Sequence, residues 1–186
     1  MSKKLISVIV PCYNEQEALP YFFSELDKVV SQMPEYNFEA IYIDDGSKDK
    51  TLSVLRERAS FDNKTKYVSF SRNFGKESAM LAGLKESKGD YVCIMDADLQ
   101  DPPSLLPQMM QILFEKECDS VATRREDRKG EPPLRSFFAK CFYKIINKIS
   151  KTEFVSGARD YRLMTRRMVD SVLSLTEYNR FTKGIF

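Results

Sequence analysis

The sequence predicts an α/β protein in which a mostly parallel central sheet is covered by helices on both faces. Short apolar segments rich in β-branched residues alternate along the chain with segments whose apolar residues recur at helical spacing. The first of the strand-like segments, Leu5 to Val10, has no polar alternation, which is typical of a parallel strand buried on both sides. With 186 residues, the chain is long enough to form one domain with a sizeable core.

Strands and helices are predicted to alternate over the first two thirds of the chain. Strands are predicted at residues 5–10, 38–43, 66–70, 91–95 and 120–123, and helices at residues 19–30, 51–60, 77–87 and 104–117. Asn14 is expected to cap the first helix, because its side chain can accept a hydrogen bond from a free helical N–H. After a Gly-Glu-Pro-Pro break at 130–133, an amphipathic helix is predicted at 134–149, a loop at 154–159 and a helix at 166–175.

Composition excludes several classes of function. The net charge is only +2, so bulk charge gives no reason to expect a nucleic-acid partner. The chain has no histidine, which excludes Ser-His-Asp and Cys-His catalysis and histidine-ligated zinc. No Gly-x-Gly-x-x-Gly follows the first strand and no P-loop is present, so Rossmann-type hydride transfer and P-loop ATP hydrolysis are not expected. The four cysteines are scattered and are expected to be reduced thiols.

The segment 96–101 places several oxygen ligands directly after the fourth strand. In an extended chain, Asp96, Asp98 and Gln100 would point to one side, because side chains alternate along a strand. Two carboxylates held close together repel unless a cation lies between them. Oxygen ligands suit Mg²⁺ or Mn²⁺, so the segment is a possible metal site. The alternative is a solvated acidic turn.

A polar cluster follows each of the five predicted strands near the point where the strand ends. The clusters are Tyr13-Asn14-Glu15, Asp44-Asp45, Arg72-Asn73, Asp96 with Asp98, and Arg124-Arg125. Ligands of open parallel sheets bind beyond the carboxyl ends of the strands. Five such clusters therefore predict one shared site, and the acids beside basic residues suit a metal-bridged phosphate ligand.

Four of these segments carry a resemblance to a known family. They are Val10-Pro11-Cys12-Tyr13-Asn14-Glu15, Ile43 to Thr51 with its Asp-Asp-Gly-Ser, Ser71-Arg72-Asn73-Phe74-Gly75-Lys76, and Asp96 to Pro103. In this order they resemble the signatures of family 2 glycosyltransferases, and more narrowly of the polyprenyl-phosphate glycosyltransferases. That group includes dolichol-phosphate mannose synthases and bacterial enzymes that load glucose onto undecaprenyl phosphate. The resemblance covers residues 5 to about 165.

The resemblance implies a GT-A fold over residues 1–165 and inverting transfer from a nucleotide-diphosphate sugar. The residues that it implies for the donor are Pro11, Tyr13, Glu15, Asp44 and Asp45 at the base and ribose, and Arg72 and Lys76 at the nucleotide or its phosphates. It places Mg²⁺ or Mn²⁺ at Asp96, Asp98 and Gln100, with Asp98 counted as catalytic. UDP-glucose is the favoured donor, ahead of GDP-mannose, UDP-galactose and UDP-N-acetylhexosamines. A surface salt bridge is the alternative for Arg72 and for Lys76.

The acceptor implied by the resemblance is a lipid phosphate. Gly157 to Arg162 matches a Gly-x-x-Asp-[FY]-Arg segment of the related enzymes, so Asp160 is expected to act as catalytic base or to position the acceptor. Arg124, Arg128 and Arg135 are expected to bind the acceptor phosphate, because guanidinium groups match phosphate oxygens. A capping aspartate and a solvated basic face are the respective alternatives.

The membrane is an expected partner. The helix at 134–149 either packs on the sheet or rests on an anionic membrane surface. Bacterial relatives usually continue into two membrane segments, and no apolar run here approaches the roughly 18 residues that span a bilayer. The chain is therefore expected to be the catalytic domain of a longer enzyme at the cytoplasmic face of the membrane, with residues 166–186 leading towards the missing segments. A homo-oligomer is possible.

Two other functions remain open. A phosphatase of the haloacid-dehalogenase type also places Asp-x-Asp at a strand end with Mg²⁺, but it requires Thr or Val where Gln100 stands and usually carries the motif on its first strand. A non-catalytic adaptor that binds a nucleotide sugar at the membrane would not need intact acids.

Overall fold

The sheet predicted from the sequence is present in the computed structural model, which describes residues 3–124 and 158–175. Its strands are β1 (Leu5–Cys12), β2 (Asn37–Asp44), β3 (Thr65–Ser69), β4 (Tyr91–Ile94), β5 (Ser120–Arg124) and β6 (Ala158–Thr165). The helices are α1 (Leu19–Gln32), α2 (Thr51–Phe61), α3 (Lys76–Glu86), α4 (Leu106–Glu115) and α5 (Arg166–Ser174). The turn Pro103–Leu105 is a 3₁₀ helix that leads into α4.

Six strands form one sheet in the order β3-β2-β1-β4-β6-β5. The first four in this order are parallel, whereas β6 is antiparallel to both β4 and β5. The prediction of a mostly parallel sheet is therefore confirmed. Because the parallel strands all point one way, their carboxyl ends form a single edge over the middle of the sheet.

Both faces of the sheet are covered, which explains the uninterrupted apolar runs. In β1, Val8 and Val10 contribute to the core beneath α1, α2 and α4. Ile9 between them points to the opposite face, where it packs with Met80 of α3 and Val169 of α5. A strand buried on both faces has no solvent side, so no polar alternation develops.

Three predictions about secondary structure need correction. The loop expected at 154–159 is contradicted at Ala158 and Arg159, which begin β6. Asn14 does not cap the first helix, because α1 begins later and has Ala18 at its N-cap. The helix expected at 104–117 is split, since Pro103–Leu105 adopts the tighter 3₁₀ form before α4.

Some expectations fall outside the described residues. They are the amphipathic helix at 134–149, the phosphate-binding roles of Arg128 and Arg135, and the tail beyond residue 175. No helix within 3–124 and 158–175 is long and apolar enough to cross a bilayer. Of the four cysteines, Cys12, Cys93 and Cys118 are free thiols, as predicted.

Candidate active site

A cleft of about 310 Å³ lies at the carboxyl ends of β1, β2 and β4, beside the start of α3. The four motif segments predicted from the sequence meet at this cleft. Three of them directly follow β1, β2 and β4, and the fourth is the loop between β3 and α3. The lining residues are Pro11, Cys12, Tyr13, Glu15, Asp45, Asn73, Gly75, Lys76, Ala79, Asp96, Ala97 and Asp98. The central prediction, that acids from separate strand ends share one cleft, holds in this geometry.

The turn after β1 is held by the turn after β2. Asn14 has a positive φ of 58°, which is uncommon for a residue other than glycine. Its backbone N–H donates to Ser47 Oγ at 2.9 Å, and its Oδ1 accepts from the Lys48 N–H at 2.8 Å. These contacts fix the turn that carries Tyr13, a residue that is 41% exposed and lines the cleft. Asn14 thus positions the site rather than the helix.

The two neighbouring acids after β2 occupy different environments. Asp44 accepts hydrogen bonds from Ser47 N–H at 3.0 Å and from Ser69 Oγ at 2.9 Å, and it is not among the lining residues. Asp45 lines the cleft and accepts from the backbone N–H groups of Phe74 and Gly75 at 2.7 and 2.9 Å. Asp45 therefore holds the loop before α3 against the cleft, while Asp44 stabilises its own turn.

Close approach of this turn to the next loop requires Gly46. It has a φ of +66°, and a Cβ built there would lie 2.4 Å from the backbone carbon of Arg72. Only glycine fits such a contact. The contact brings the segment that carries Asn73 and Lys76 to the cleft.

Lys76 is the first residue of α3 and lies between two carboxylates. Its Nζ is 2.7 Å from an Asp96 oxygen and 2.7 Å from an Asp160 oxygen. Burial lowers the pKa of a lysine, but the hydrogen bonds to Asp160 and Asp96 outweigh it and raise the pKa of Lys76 above its ordinary value. The lysine is therefore a fixed cation, and it links the Asp-x-Asp segment to β6.

The Asp-x-Asp segment turns sharply after β4. Ala97 is buried, whereas Asp96 is half-buried and Asp98 is exposed in the cleft. Leu99, directly after Asp98, has a φ of 58°, a strained conformation for a residue other than glycine. Gln100 is exposed, is not among the lining residues, and donates its backbone N–H to Asp98 Oδ1 at 3.0 Å.

The strand β6 brings Asp160 to the same edge of the sheet. Arg159 forms an ion pair with Asp101 at 2.9 Å, and the buried Tyr161 hydroxyl donates to the Pro103 carbonyl at 3.4 Å. Both contacts tie β6 to the loop that carries Asp96 and Asp98. Asp160 lies on a strand, not in a loop or at a helix cap, and it is not among the lining residues; it reaches the cleft only through its ion pair with Lys76.

Negative charge in the cleft is only partly compensated. Burial, followed by the charges of Asp98, Asp96 and Asp49, raises the pKa of Glu15 above its ordinary value. Among the cleft-lining residues that the structure describes, Lys76 is the single cation. The arrangement favours binding of a further cation.

The residues present fit a divalent ion whose remaining ligands come from a bound substrate. Asp96 and Asp98 offer hard carboxylate oxygens in one cleft, as Mg²⁺ and Mn²⁺ prefer. Within residues 3–124 and 158–175, no group of three or more acid, cysteine or histidine side chains could hold a metal by itself. Magnesium sites commonly use one or two carboxylates plus substrate phosphates, so the set suits a metal held jointly with a phosphate ligand.

Several predicted residues lie beside the cleft rather than in its wall. Arg72 stacks on the Phe74 ring at 4.1 Å, and Arg124 ends β5 at the edge of the sheet. Neither is among the lining residues. Asn73, which belongs to one of the five predicted clusters, lines the cleft, and so does Cys12, to which the sequence had given only a structural role. Their place within motifs that end at the site was the available signal.

The comparisons with known proteins agree on one family. The family described as glycosyl transferase family 2 matches residues 7–173 of the chain. The protein CsbB of Bacillus subtilis is 41% identical over the whole chain, which covers 56% of that relative. The bactoprenol glucosyl transferase of Shigella phage SfX is 40% identical over 97% of the chain and 58% of its own length. The chain thus spans little more than half the length of these relatives.

Solved structures support the fold. Mannosyl-3-phosphoglycerate synthase from Rubrobacter xylanophilus superimposes with a TM-score of 0.66 at 20% identity, over 89% of this chain and 54% of that one. A mannosyltransferase from Pyrobaculum calidifontis, in complex with GDP-Man and Mn²⁺, gives a TM-score of 0.59 at 22% identity, over 92% and 47%. At these identities the similarity shows the GT-A fold alone, which confirms the expected fold class.

Proposed function

Because the chain belongs to glycosyl transferase family 2, we propose that it transfers a hexose from a nucleotide-diphosphate sugar to a polyprenyl phosphate. The relative named bactoprenol glucosyl transferase supports the lipid acceptor and favours glucose as the sugar. The observation that carries the proposal is the single cleft in which Tyr13, Asp45, Asp96 and Asp98 meet.

The donor is proposed to lie across the ends of β1, β2 and β4. The exposed ring of Tyr13 offers a stacking surface for the base, and Asp45 and Glu15 offer acceptors for ring N–H groups or ribose hydroxyls. Pro11 lines the cleft near Tyr13. Asp44 does not line it, but its hydrogen bond from Ser69 Oγ stabilises the end of β2 next to Asp45. A volume of about 310 Å³ suits a small ligand of this kind better than a macromolecule.

Asp96 and Asp98 are proposed to hold Mg²⁺ or Mn²⁺ together with the donor's diphosphate, with Gln100 orienting Asp98 through its backbone N–H. When bound, the ion acts as a Lewis acid that stabilises charge on the departing diphosphate. Lys76 and Arg72 would add positive charge on the α3 side of the cleft.

The acceptor is proposed to enter beside β6. A lipid phosphate already carries a nucleophilic anionic oxygen at neutral pH, so little proton transfer is needed. Asp160 would orient that oxygen, or take a remaining proton, from a position where it shares the Lys76 ammonium with Asp96. Arg124 lies at the end of the neighbouring strand, and Arg128 and Arg135 follow it in sequence, so these residues remain proposed contacts of the acceptor phosphate.

Membrane association is part of the proposal. A polyprenyl acceptor resides in a bilayer, so catalysis must take place at its surface. In bacteria, nucleotide sugars would reach the cleft from the cytoplasmic side. The basic, apolar-rich segment 134–149 is the proposed contact with the lipid surface.

The test is transfer of labelled sugar onto a short polyprenyl phosphate in detergent, with Mn²⁺ or Mg²⁺ and a panel of UDP- and GDP-sugars. Labelled lipid product that forms only when donor, acceptor and metal are all present is expected, with UDP-glucose as the best donor. Free phosphate released without glycolipid would favour the phosphatase alternative. Donor binding without turnover, in protein that is folded by circular dichroism, would favour the adaptor.

A further inference from the structure

Asp96 and Asp160 come from distant parts of the chain and meet across two antiparallel strands. The β4–β6 register pairs Cys93 with Leu163 and Ile94 with Arg162. Continuing that register by two residues places Asp96 opposite Asp160. Residues directly opposite in an antiparallel pair have Cβ atoms only about 5 Å apart, and like charges at such positions are destabilising.

Lys76 lies between these two acids. One ammonium group contacts both carboxylates, with N···O distances of 2.7 Å to each residue. The lysine side chain is 39% exposed, and those of Asp96 and Asp160 are 35% and 27% exposed. The three charges are therefore partly withdrawn from water and interact more strongly than at an open surface.

The position of Lys76 in α3 gives no electrostatic reason for a lysine. Lys76 is the first residue of α3, where the partial positive charge of a helix N-terminus disfavours a cation. The helix otherwise follows the usual charge distribution, with Glu77 in its first turn and Lys85 in its last. The two carboxylates therefore compensate the electrostatic cost of a lysine at a helix N-terminus. This indicates that the positive charge of Lys76 has a role in the cleft.

We propose that Lys76 is an internal counter-ion that bridges Asp96 and Asp160 in the metal-free protein. When a divalent ion binds, it displaces the Lys76 ammonium from Asp96. The inference rests on the proposed metal-dependent function and deepens it. Binding of the ion then releases the ammonium towards the cleft, where the donor's diphosphate carries negative charge. A competing internal cation would also keep metal affinity low until the donor's phosphates arrive.

The direct test is Mn²⁺ binding without donor, at pH 7.5. Lys76→Met keeps the length of the side chain and removes its charge, so Mn²⁺ should bind more tightly, by roughly tenfold for the loss of one competing charge at this distance. The signal of free Mn²⁺ in electron paramagnetic resonance gives the dissociation constant. Lys85→Met, the same change at an exposed position of α3, should leave it unchanged.

Thermal unfolding supplies a second measurement. Without metal, Lys76→Met should melt at a lower temperature than the unmodified chain, because Asp96 and Asp160 then repel each other. Mn²⁺ should raise the melting temperature of Lys76→Met more than that of the unmodified chain. Lys76→Arg, which keeps the charge, should behave like the unmodified chain in both measurements.

Unchanged or weaker Mn²⁺ binding by a folded Lys76→Met variant would overturn the inference and leave the proposed transfer intact. If neither chain binds Mn²⁺, the inference and the metal assignment both fall, whereas sugar transfer measured with a chelator present still tests the rest of the proposed function.

Discussion

Two glutamates, Glu39 and Glu15, lie towards opposite ends of the parallel strands and differ in what surrounds their charge. Glu39 is in β2 near its amino end and is 5% exposed. Glu15 follows β1 beyond its carboxyl end and lines the cleft. Both are carboxylates withdrawn from water, but only Glu39 has partners that stabilise its charge.

The environment of Glu39 is complete. Its carboxylate accepts from Ser7 Oγ and Lys66 Nζ, both at 2.6 Å, and from the Lys88 N–H at 2.8 Å. Burial raises the pKa of a carboxyl, but these hydrogen bonds outweigh it and hold the pKa of Glu39 below its ordinary value. Ser7 in turn accepts from the Gly89 N–H at 2.8 Å. This end of the sheet is a closed network that contributes to stability.

The environment of Glu15 is incomplete. Its neighbours in the cleft are acids, and burial together with Asp98, Asp96 and Asp49 raises its pKa. No hydrogen bond or ion pair to its carboxylate is made by the residues that the structure describes. The comparison shows that a buried acid indicates function when its neighbours repel its charge, and structure when they stabilise it.

The largest expected effect is on catalysis at the cleft. Asp98→Ala should reduce the transfer rate by about a thousandfold, because a metal ligand contributes several kcal/mol to transition-state stabilisation. The melting temperature should stay the same, since Asp98 is exposed and accepts one backbone hydrogen bond, from Gln100. Steady-state transfer at limiting metal and thermal unfolding measure the two effects. Asp170→Ala, at an exposed site on α5, is the control, and full activity of Asp98→Ala would refute the metal assignment.

The opposite outcome is expected at the other end of the sheet. Glu39→Ala should lower the free energy of unfolding by about 3 kcal/mol, because Ser7 and the Lys88 N–H lose their buried acceptor. Transfer per folded molecule should not change. Urea denaturation measures the loss, and Glu57→Ala, an exposed acid on α2, is the control.

The loss in Glu39→Ala should depend on pH. The folded-state pKa of Glu39 lies below the ordinary value of 4.5, so its ionised form stabilises the fold above pH 4.5. As the pH falls through the lowered pKa, the carboxylate is protonated and this contribution disappears. A difference from the unmodified chain that grows below pH 4.5 would contradict the role of the ionised network.

A smaller effect is expected for Asp160, which is proposed to orient the acceptor. Asp160→Asn should lower kcat by about tenfold and leave the donor dissociation constant nearly unchanged, because a lipid phosphate needs positioning more than deprotonation. Single-turnover kinetics and donor titration separate the two quantities. The same change at Asp170 is the control. Equal losses in kcat and in donor binding would place Asp160 on the donor side instead.

The smallest effect is on the stability contribution of Glu15. Its folded-state pKa lies above 4.5, so the ionised form destabilises the fold above that raised value, and the cost vanishes as the pH falls towards 4.5. Glu15→Gln should therefore stabilise the metal-free chain at pH 7, by less than about 1 kcal/mol for a partly exposed group. Thermal unfolding between pH 4 and pH 8 without metal measures this. A loss of stability at pH 7 would show that Glu15 is satisfied in the fold.

Local sequence was sufficient for the parallel half of the sheet. Residues 5–10 predicted β1 because a strand buried on both faces must be apolar throughout, and the observed strand differs only in continuing to Cys12. The same reasoning placed Asp96 and Asp98 at the carboxyl end of β4 and therefore beside Tyr13. Strand ends in a parallel sheet share an edge whatever their order, so the location of the site did not require knowledge of the topology.

The chain from 158 to 165 was not recognised as a strand. Arg159, Asp160 and Arg162 interrupt its apolar residues, so neither a buried nor an alternating pattern is visible. Its position between β4 and β5 makes it a strand, because both neighbours supply hydrogen-bonding partners. Those partners are distant in sequence, and no local pattern reports them.

The sequence by itself determined the fold class, the family resemblance and the edge of the sheet where acids collect, since each depends on the periodicity and order of nearby residues. The tertiary structure alone decided which acids are satisfied and which are not. Asp44 and Asp45 are neighbours in sequence, yet one stabilises its own turn and the other faces the cleft. Lys76 and Asp160 are 84 residues apart and form an ion pair. Electrostatic environment depends on distances in space, and these are set only when the strands pair.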